Sequence, residues 1–201
     1  MKIAVLIVAM NLIFNSGCGK KEESSKQVEL RIKSEDLELV GMIKTLVADY
    51  NHGLGFDAIK TTTSTELGVS NLSFYKDGTA PAGHENALGT GQGKLIKTDE
   101  NTKMNFSTFK YETSTKKQFV MNVSFDSEYF KSRSSKFDDK LSAEYTEVFR
   151  LFCHELGHGF GLSHNVNNRF DVMSPWTPLQ ERGDMAKYWG QINAQIGLEG
   201  R

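Results

Sequence analysis

Cysteine is scarce in this sequence, with only Cys18 and Cys153 among 201 residues. That excludes a disulfide framework and any metal module built on several thiolates. Proline is rarer than expected for a loop-dominated chain, with three in all. Neither sign of charge dominates: 24 basic and 25 acidic residues leave a net charge of −1. No basic block stands out, so nucleic acid is not an expected partner. Internal repeats are lacking too, which removes solenoid and propeller architectures. The one long apolar run, Ile3 to Phe14, is interrupted by Asn11 and falls short of the roughly 20 residues of a membrane span.

That run has another reading. Lys2 precedes it, and Asn15-Ser16-Gly17-Cys18 follows. A charged start, a short apolar core and small residues make a secretory signal over residues 1–17. Small residues directly before a cysteine resemble a bacterial lipoprotein signal, which implies lipidation of Cys18. Asn15 departs from the pattern, standing where such signals carry an apolar residue, so ordinary secretion with Cys18 removed or free stays open. Residues 18–26 are charged and serine-rich and read as a polar tether. The expected address is therefore extracytoplasmic, with a lipid anchor as the only membrane contact. Residues 27–201 are expected to form one globular domain, a monomer.

Three of the five histidines fall within eleven residues, His154-Glu155-Leu156-Gly157-His158-Gly159-Phe160-Gly161-Leu162-Ser163-His164. His154 and His158 are four apart, about 40° and roughly 6 Å on a helix, so both imidazoles project from one face. Two neutral imidazoles at that spacing can grip one zinc ion. Glu155 points off to the side, suited to hydrogen-bond a water on the metal as general base. Gly161 can take the left-handed conformation that ends a helix, after which His164 can return as third ligand. Three protein ligands leave one position open, as in a catalytic site.

These residues match the metzincin pattern H-E-x-x-H-x-x-G-x-x-H. Asp171-Val172-Met173-Ser174-Pro175 lies a short loop later, and Met173 resembles the methionine of the metzincin Met-turn. The short gap and the proline two residues past Met173 are most similar to the matrixins. Ser174 stands where many matrixins have tyrosine, so no role of that tyrosine carries over. The match covers about twenty residues. It implies an α+β zincin fold: a twisted, mostly parallel sheet with an edge strand, a packing helix, an active-site helix, a Met-turn and a C-terminal helix. An accessory structural Ca²⁺ or second Zn²⁺ also belongs to the resemblance. His84-Glu85 is the local candidate, but no matching ligand set accompanies it, and a solvated loop is the preferred reading.

Along the chain, Gln27–Lys33 alternates as a half-buried strand. Ser34 is expected to cap a helix with Leu37, Val40, Ile43 and Val47 on its apolar face, stopping near His52-Gly53. His52 reads as a helix-end residue. Phe56–Thr63 and Asn71–Lys76 read as strands. Thr79–Gly93, rich in glycine, reads as a loop. Lys94–Thr98 and Met104–Tyr111 are expected as strands around a turn at Asp99-Glu100-Asn101, and Gln118–Phe125 as a further strand. Lys131–Lys140 reads as a surface connection. A helix from Ser142 to Gly161 should bury Tyr145, Val148, Phe149 and Phe152, with Cys153 packed as a small apolar residue. Trp176 is either cleft wall or core. Thr177-Pro178-Leu179-Gln180 has the signature of a helix start, opening a final helix with Leu179, Met185, Ala186, Trp189, Ile192 and Ile196 inward.

The expected activity is zinc-dependent hydrolysis of peptide bonds within proteins, with Glu155 activating the metal's water and His154, His158 and His164 as ligands. Met173 underpins the site without ligating. The alternatives are a surface zinc protein that does not cut, and an exopeptidase of narrow specificity.

Overall fold

Alternating apolar residues build the centre of the sheet. The computed structural model describes residues 27–66, 68–76, 79–80, 87–105, 107, 110–175 and 183–197. The signal, tether and Cys18, the candidate pair His84-Glu85, Trp176 and the Thr177–Gln180 helix start lie outside them. Strands β1 (Val28–Lys33), β2 (Ile59–Thr62), β3 (Ser70–Tyr75), β4 (Gly89–Asn105) and β5 (Lys110–Asp126) form one sheet in the order β2-β1-β3-β5-β4. All pairings are parallel except β4 with β5. One face carries Leu30, Leu72, Met121, Val123 and Phe125, all buried. The other is polar: Arg31 Nη2 donates to Asn71 Oδ1 at 2.8 Å, and Asn71 Nδ2 to Asn122 Oδ1 at 3.2 Å. A sheet with one apolar face has one side to cover. Helices α1 (Leu37–Leu54), α2 (Ser127–Lys131), α3 (Ala143–Gly159) and α4 (Met185–Ile196) contribute to the single apolar cluster on that side. The result is an α+β, two-layer fold.

Helix α1 begins two residues later than the Ser34 cap predicts. Asp36 is the cap, accepting from the backbone N–H of Glu38 and Leu39, while Ser34 Oγ accepts from Asp36 N. The carboxylate wins because it also complements the positive helix end. The helix runs past His52-Gly53 to Leu54 and stops at Gly55, whose φ of 80° satisfies the final carbonyls. Its buried stripe is Leu39, Met42, Ile43, Leu46, Val47, Tyr50 and Leu54. Leu37, expected inside, is 85% exposed, because it occupies the first helical position outside that stripe.

The largest departure is β4. Gly89–Gly93, expected in a loop, is strand, and Asp99-Glu100-Asn101, expected as a turn, is strand as well. The chain reverses between Asn105 and Lys110 instead. Residues 99–101 continue the two-stranded ribbon, with Asp99 the register partner of Lys116 and Lys103 that of Glu112. A register irregularity lies between Lys97 and Asp99. The glycines are explained by what lies beneath them. A β-carbon on Gly91 would collide with the carbonyl oxygen of Glu155, and one on Gly93 with that of Gly159. The strand's bare backbone rests directly on α3, and only glycine permits that approach.

Ser142 caps α3 through its hydroxyl, accepting from Tyr145 N. The helix ends at Gly159, two residues before Gly161, which turns the chain with φ 87°. Tyr145, Val148 and Phe152 are buried, and Phe149 is half-buried. The Lys131–Lys140 connection is pinned by the buried Phe137. Helix α4 is described from Met185, capped by Asp184. Its most deeply set residues are Tyr188 and Ile192. Tyr188, absent from the expected apolar face, donates to the Cys153 carbonyl at 2.5 Å and meets the Tyr50 hydroxyl at 3.1 Å. Aromatic bulk with a satisfied hydroxyl suits it to that position.

Two glycine substitutions separate packing from propensity. Gly91→Ala should lower unfolding stability by about 1–3 kcal/mol or more through overpacking. Gly41→Ala, on exposed α1 with open space around it, should raise stability by about 0.5–1 kcal/mol. Urea denaturation midpoints measure both; equal effects would contradict the strand-on-helix contact.

Candidate metal centre

Helical spacing brings the imidazoles of His154 and His158 together, and the turn at Gly161 brings that of His164. His154 Nε2 lies 3.2 Å from His158 Nε2 and 3.2 Å from His164 Nε2, and the last two are 3.1 Å apart. His154 Nδ1 is 2.8 Å from the Val172 carbonyl oxygen, and His158 Nδ1 is 2.8 Å from that of Leu162. A carbonyl only accepts, so each Nδ1 carries hydrogen and each Nε2 carries a lone pair. Those lone pairs face each other. The third imidazole can donate to one of them but not satisfy both. Burial pushes His154 down to about 4 and lowers His158 as well, so protonation does not relieve the contact near neutrality. A shared cation does.

The donor set fits zinc. Imidazole nitrogens at roughly 2.0–2.1 Å in tetrahedral geometry lie roughly 3.3–3.4 Å apart, and the observed triangle is tighter by about 0.2 Å. Among the described residues, no other group of three His, Cys, Asp or Glu side chains converges in this way. Three ligands leave one tetrahedral position for a small molecule.

The imidazoles open on a cleft of about 510 Å³. Ala87, Leu88, Gly89, Thr90 and Gly91 form one wall, and Ser174 and Pro175 contribute to the lining. Glu155 is 6% exposed and lines the same space; a β-carbon on Gly89 would come within 2.8 Å of its Cγ. Burial pushes its carboxyl up to about 8 in the metal-free protein, and a divalent cation beside it would draw that value down. Met173 is buried beneath the helix. A β-carbon on Gly157 would collide with its sulfur and come within 3.2 Å of the Tyr188 ring, so glycine between the two helical histidines makes room for both. Cys153 is a buried free thiol, raised by burial. His52 lies elsewhere, beside a separate groove between α1 and β2.

Residues 154, 155, 158, 164 and 173 thus meet at one place. Sequence reading missed four contributors: the 87–91 wall, Arg150, Asp171 and Tyr188. The recurrence of glycine at 89, 91 and 93 was a period-two signal, but glycine carries no apolar label. Arg150 is a buried cation lining the cleft one turn before His154, and its Nη2 donates to the Asp171 carbonyl at 2.7 Å.

Fold and site together define a two-layer α+β protein with a cluster of three histidines, two on a helix and one on the loop that follows it, walled by an edge strand. No family model matches the chain, and no curated protein sequence does. Among solved structures, the chain is similar to an archaemetzincin from Methanopyrus kandleri, at 12% sequence identity over 86% of this chain and 97% of that one, with a TM-score of 0.49.

Three expectations follow from the site. If zinc is bound, removing it with a chelator should lower the melting temperature by about 10 °C, as befits a ligand whose dissociation constant lies some thousandfold below its working concentration. His164→Ala should weaken zinc binding by roughly two orders of magnitude, read by competition with a chromogenic chelator. Glu155 gives a pH signature in the metal-free protein. Its raised folded value makes the buried carboxylate a cost that is full above pH 8 and gone below the unfolded value near 4.5. Metal-free Glu155→Gln should therefore exceed wild type in stability at pH 8.5, with the advantage vanishing as pH falls toward 4.5. A pH-independent difference would contradict the buried placement.

Proposed function

We propose that this chain is a zinc-dependent endopeptidase of the metzincin type, cutting peptide bonds within polypeptides. The observation that carries the reading is the triangle of imidazole nitrogens, 3.1–3.2 Å on a side, in a cleft that Glu155 also lines. His154, His158 and His164 would hold the ion. When bound, zinc supplies a Lewis acid that polarises a carbonyl oxygen and makes a coordinated water more acidic. Glu155 accepts the proton of the attacking water on its carboxylate and passes it to the nitrogen of the leaving amine. Met173 fills the space under Gly157 and keeps the helical pair in register. The outer edge of β4 offers main-chain donors and acceptors to an extended substrate, a mode that asks little of its sequence.

Within that class, the short interval from His164 to Met173 and the position of Pro175 favour the matrixin branch. The N-terminal sequence supports an extracytoplasmic lipoprotein, anchored at Cys18 and tethered by residues 18–26, acting on proteins as a monomer. Among the described residues, no helix is long and apolar enough to cross a membrane.

Glu155→Gln should keep about one zinc per chain while casein hydrolysis falls roughly 10²–10⁴-fold. Retained proteolysis would remove Glu155 from its role. A wild-type protein that binds zinc and leaves casein intact would favour a non-cutting zinc protein. Cleavage that disappears on peptides with blocked termini would favour an exopeptidase.

A further inference from the structure

The three imidazoles are not equally secured. His158 is oriented by the turn that ends its own helix, through the Leu162 carbonyl. His154 and His164 depend on chain outside the helix, and His164 is exposed on a loop. Both dependences lead to one side chain. Asp171 is 1% exposed. Its Oδ1 accepts from Met173 N at 2.9 Å. That N–H belongs to the same peptide unit as the Val172 carbonyl, which accepts from His154 Nδ1 at 2.8 Å. A peptide unit is planar and rigid, so fixing its N–H fixes the carbonyl that orients His154. The other oxygen, Oδ2, accepts from Asn165 Nδ2 at 2.7 Å. Asn165 directly follows His164, and its own N–H donates to the Met173 carbonyl at 2.9 Å. The same Oδ2 takes a third partner, Lys187 Nζ of α4, at 2.7 Å.

We propose that Asp171 is the positioning residue of the metal centre, holding His154 through the Val172–Met173 peptide and His164 through Asn165, with Lys187 balancing its buried charge. The proposal rests on the zinc reading above. It makes the C-terminal helix part of the site's support: Lys187 Nζ pairs directly with the buried carboxylate, and breaking an ion pair that is buried on one side is costly. Partners that orient metal ligands typically change metal affinity 10–100-fold when removed.

The test uses the full chain and zinc itself. Zinc dissociation constants of wild type, Asp171→Asn, Asn165→Ala, Lys187→Met and Lys187→Arg are measured by chelator competition. Visible absorption of the cobalt-substituted proteins reports ligand geometry, and melting of the metal-free proteins reports folding. Asp171→Asn keeps an acceptor for Met173 but offers an amide nitrogen or a single oxygen to Asn165 and Lys187. It should weaken zinc binding about 10–100-fold and alter the cobalt spectrum. Asn165→Ala, at a half-buried surface position, removes the bond to Asp171 and the acceptor of Asn167 N but leaves the His154 arm intact, and should weaken binding and perturb the spectrum while the metal-free melting temperature stays near wild type. Lys187→Met should weaken binding and Lys187→Arg restore it. Wild-type affinity and an unchanged cobalt spectrum in both Asp171→Asn and Asn165→Ala would overturn the assignment while leaving the zinc reading intact. A wild-type protein that takes up neither zinc nor cobalt would overturn the zinc reading, and the assignment with it.

Discussion

Three imidazole nitrogens held within 3.2 Å of one another are the constraint on which this structure turns. In water, neutral imidazoles have no reason to bring lone pairs together. Here the backbone carbonyls of Val172 and Leu162 take the Nδ1 hydrogens of His154 and His158, so their Nε2 lone pairs have nowhere else to point. The fold supplies the geometry and leaves the electrostatic compensation to a cation. Such a site stabilises the folded state only when that cation is present.

Much of the chain can be understood as support for that arrangement. The glycines of β4 let a strand lie flat on α3 at Glu155 and Gly159, so the cleft wall and the histidine helix share one set of contacts. Gly157 admits Met173 and the Tyr188 ring under the helix. Tyr188 ties α4 to the carbonyl of Cys153, adjacent to His154, and to α1 through Tyr50. Asp171 joins the loop after His164, the methionine segment and α4 in one hydrogen-bonded cluster. The elements farthest apart in sequence therefore converge on the same few atoms.

What could be read from the sequence was local. The histidine spacing, the glutamate beside it and the turning glycine are properties of one helix and its end, and helical geometry alone fixes their relation. The strand at Val28 and the one at Phe119–Phe125 announced themselves by alternation. Gly89–Gly93 did not, because a strand whose inward residues are glycine has no apolar signal to alternate. The polar run Asp99–Asn101 looked like a turn for the opposite reason, since a polar stretch can continue a strand without reversing the chain. Asp171 was visible only as a residue before Met173; its partners Asn165 and Lys187 reach it through tertiary packing. Tyr188 was lost beside Trp189 because its hydroxyl is satisfied by a carbonyl 35 residues away. Helix starts were judged by residue type, which put the cap at Ser34 two positions before the carboxylate that provides it.

Every proposed role of the site depends on metal ligation by all three histidines. X-ray absorption at the zinc edge of the reconstituted protein tests this most directly. It should return one zinc per chain with three imidazole nitrogens at about 2.0 Å and a lighter fourth donor. Two imidazoles only, or sulfur in the first coordination sphere, would contradict it.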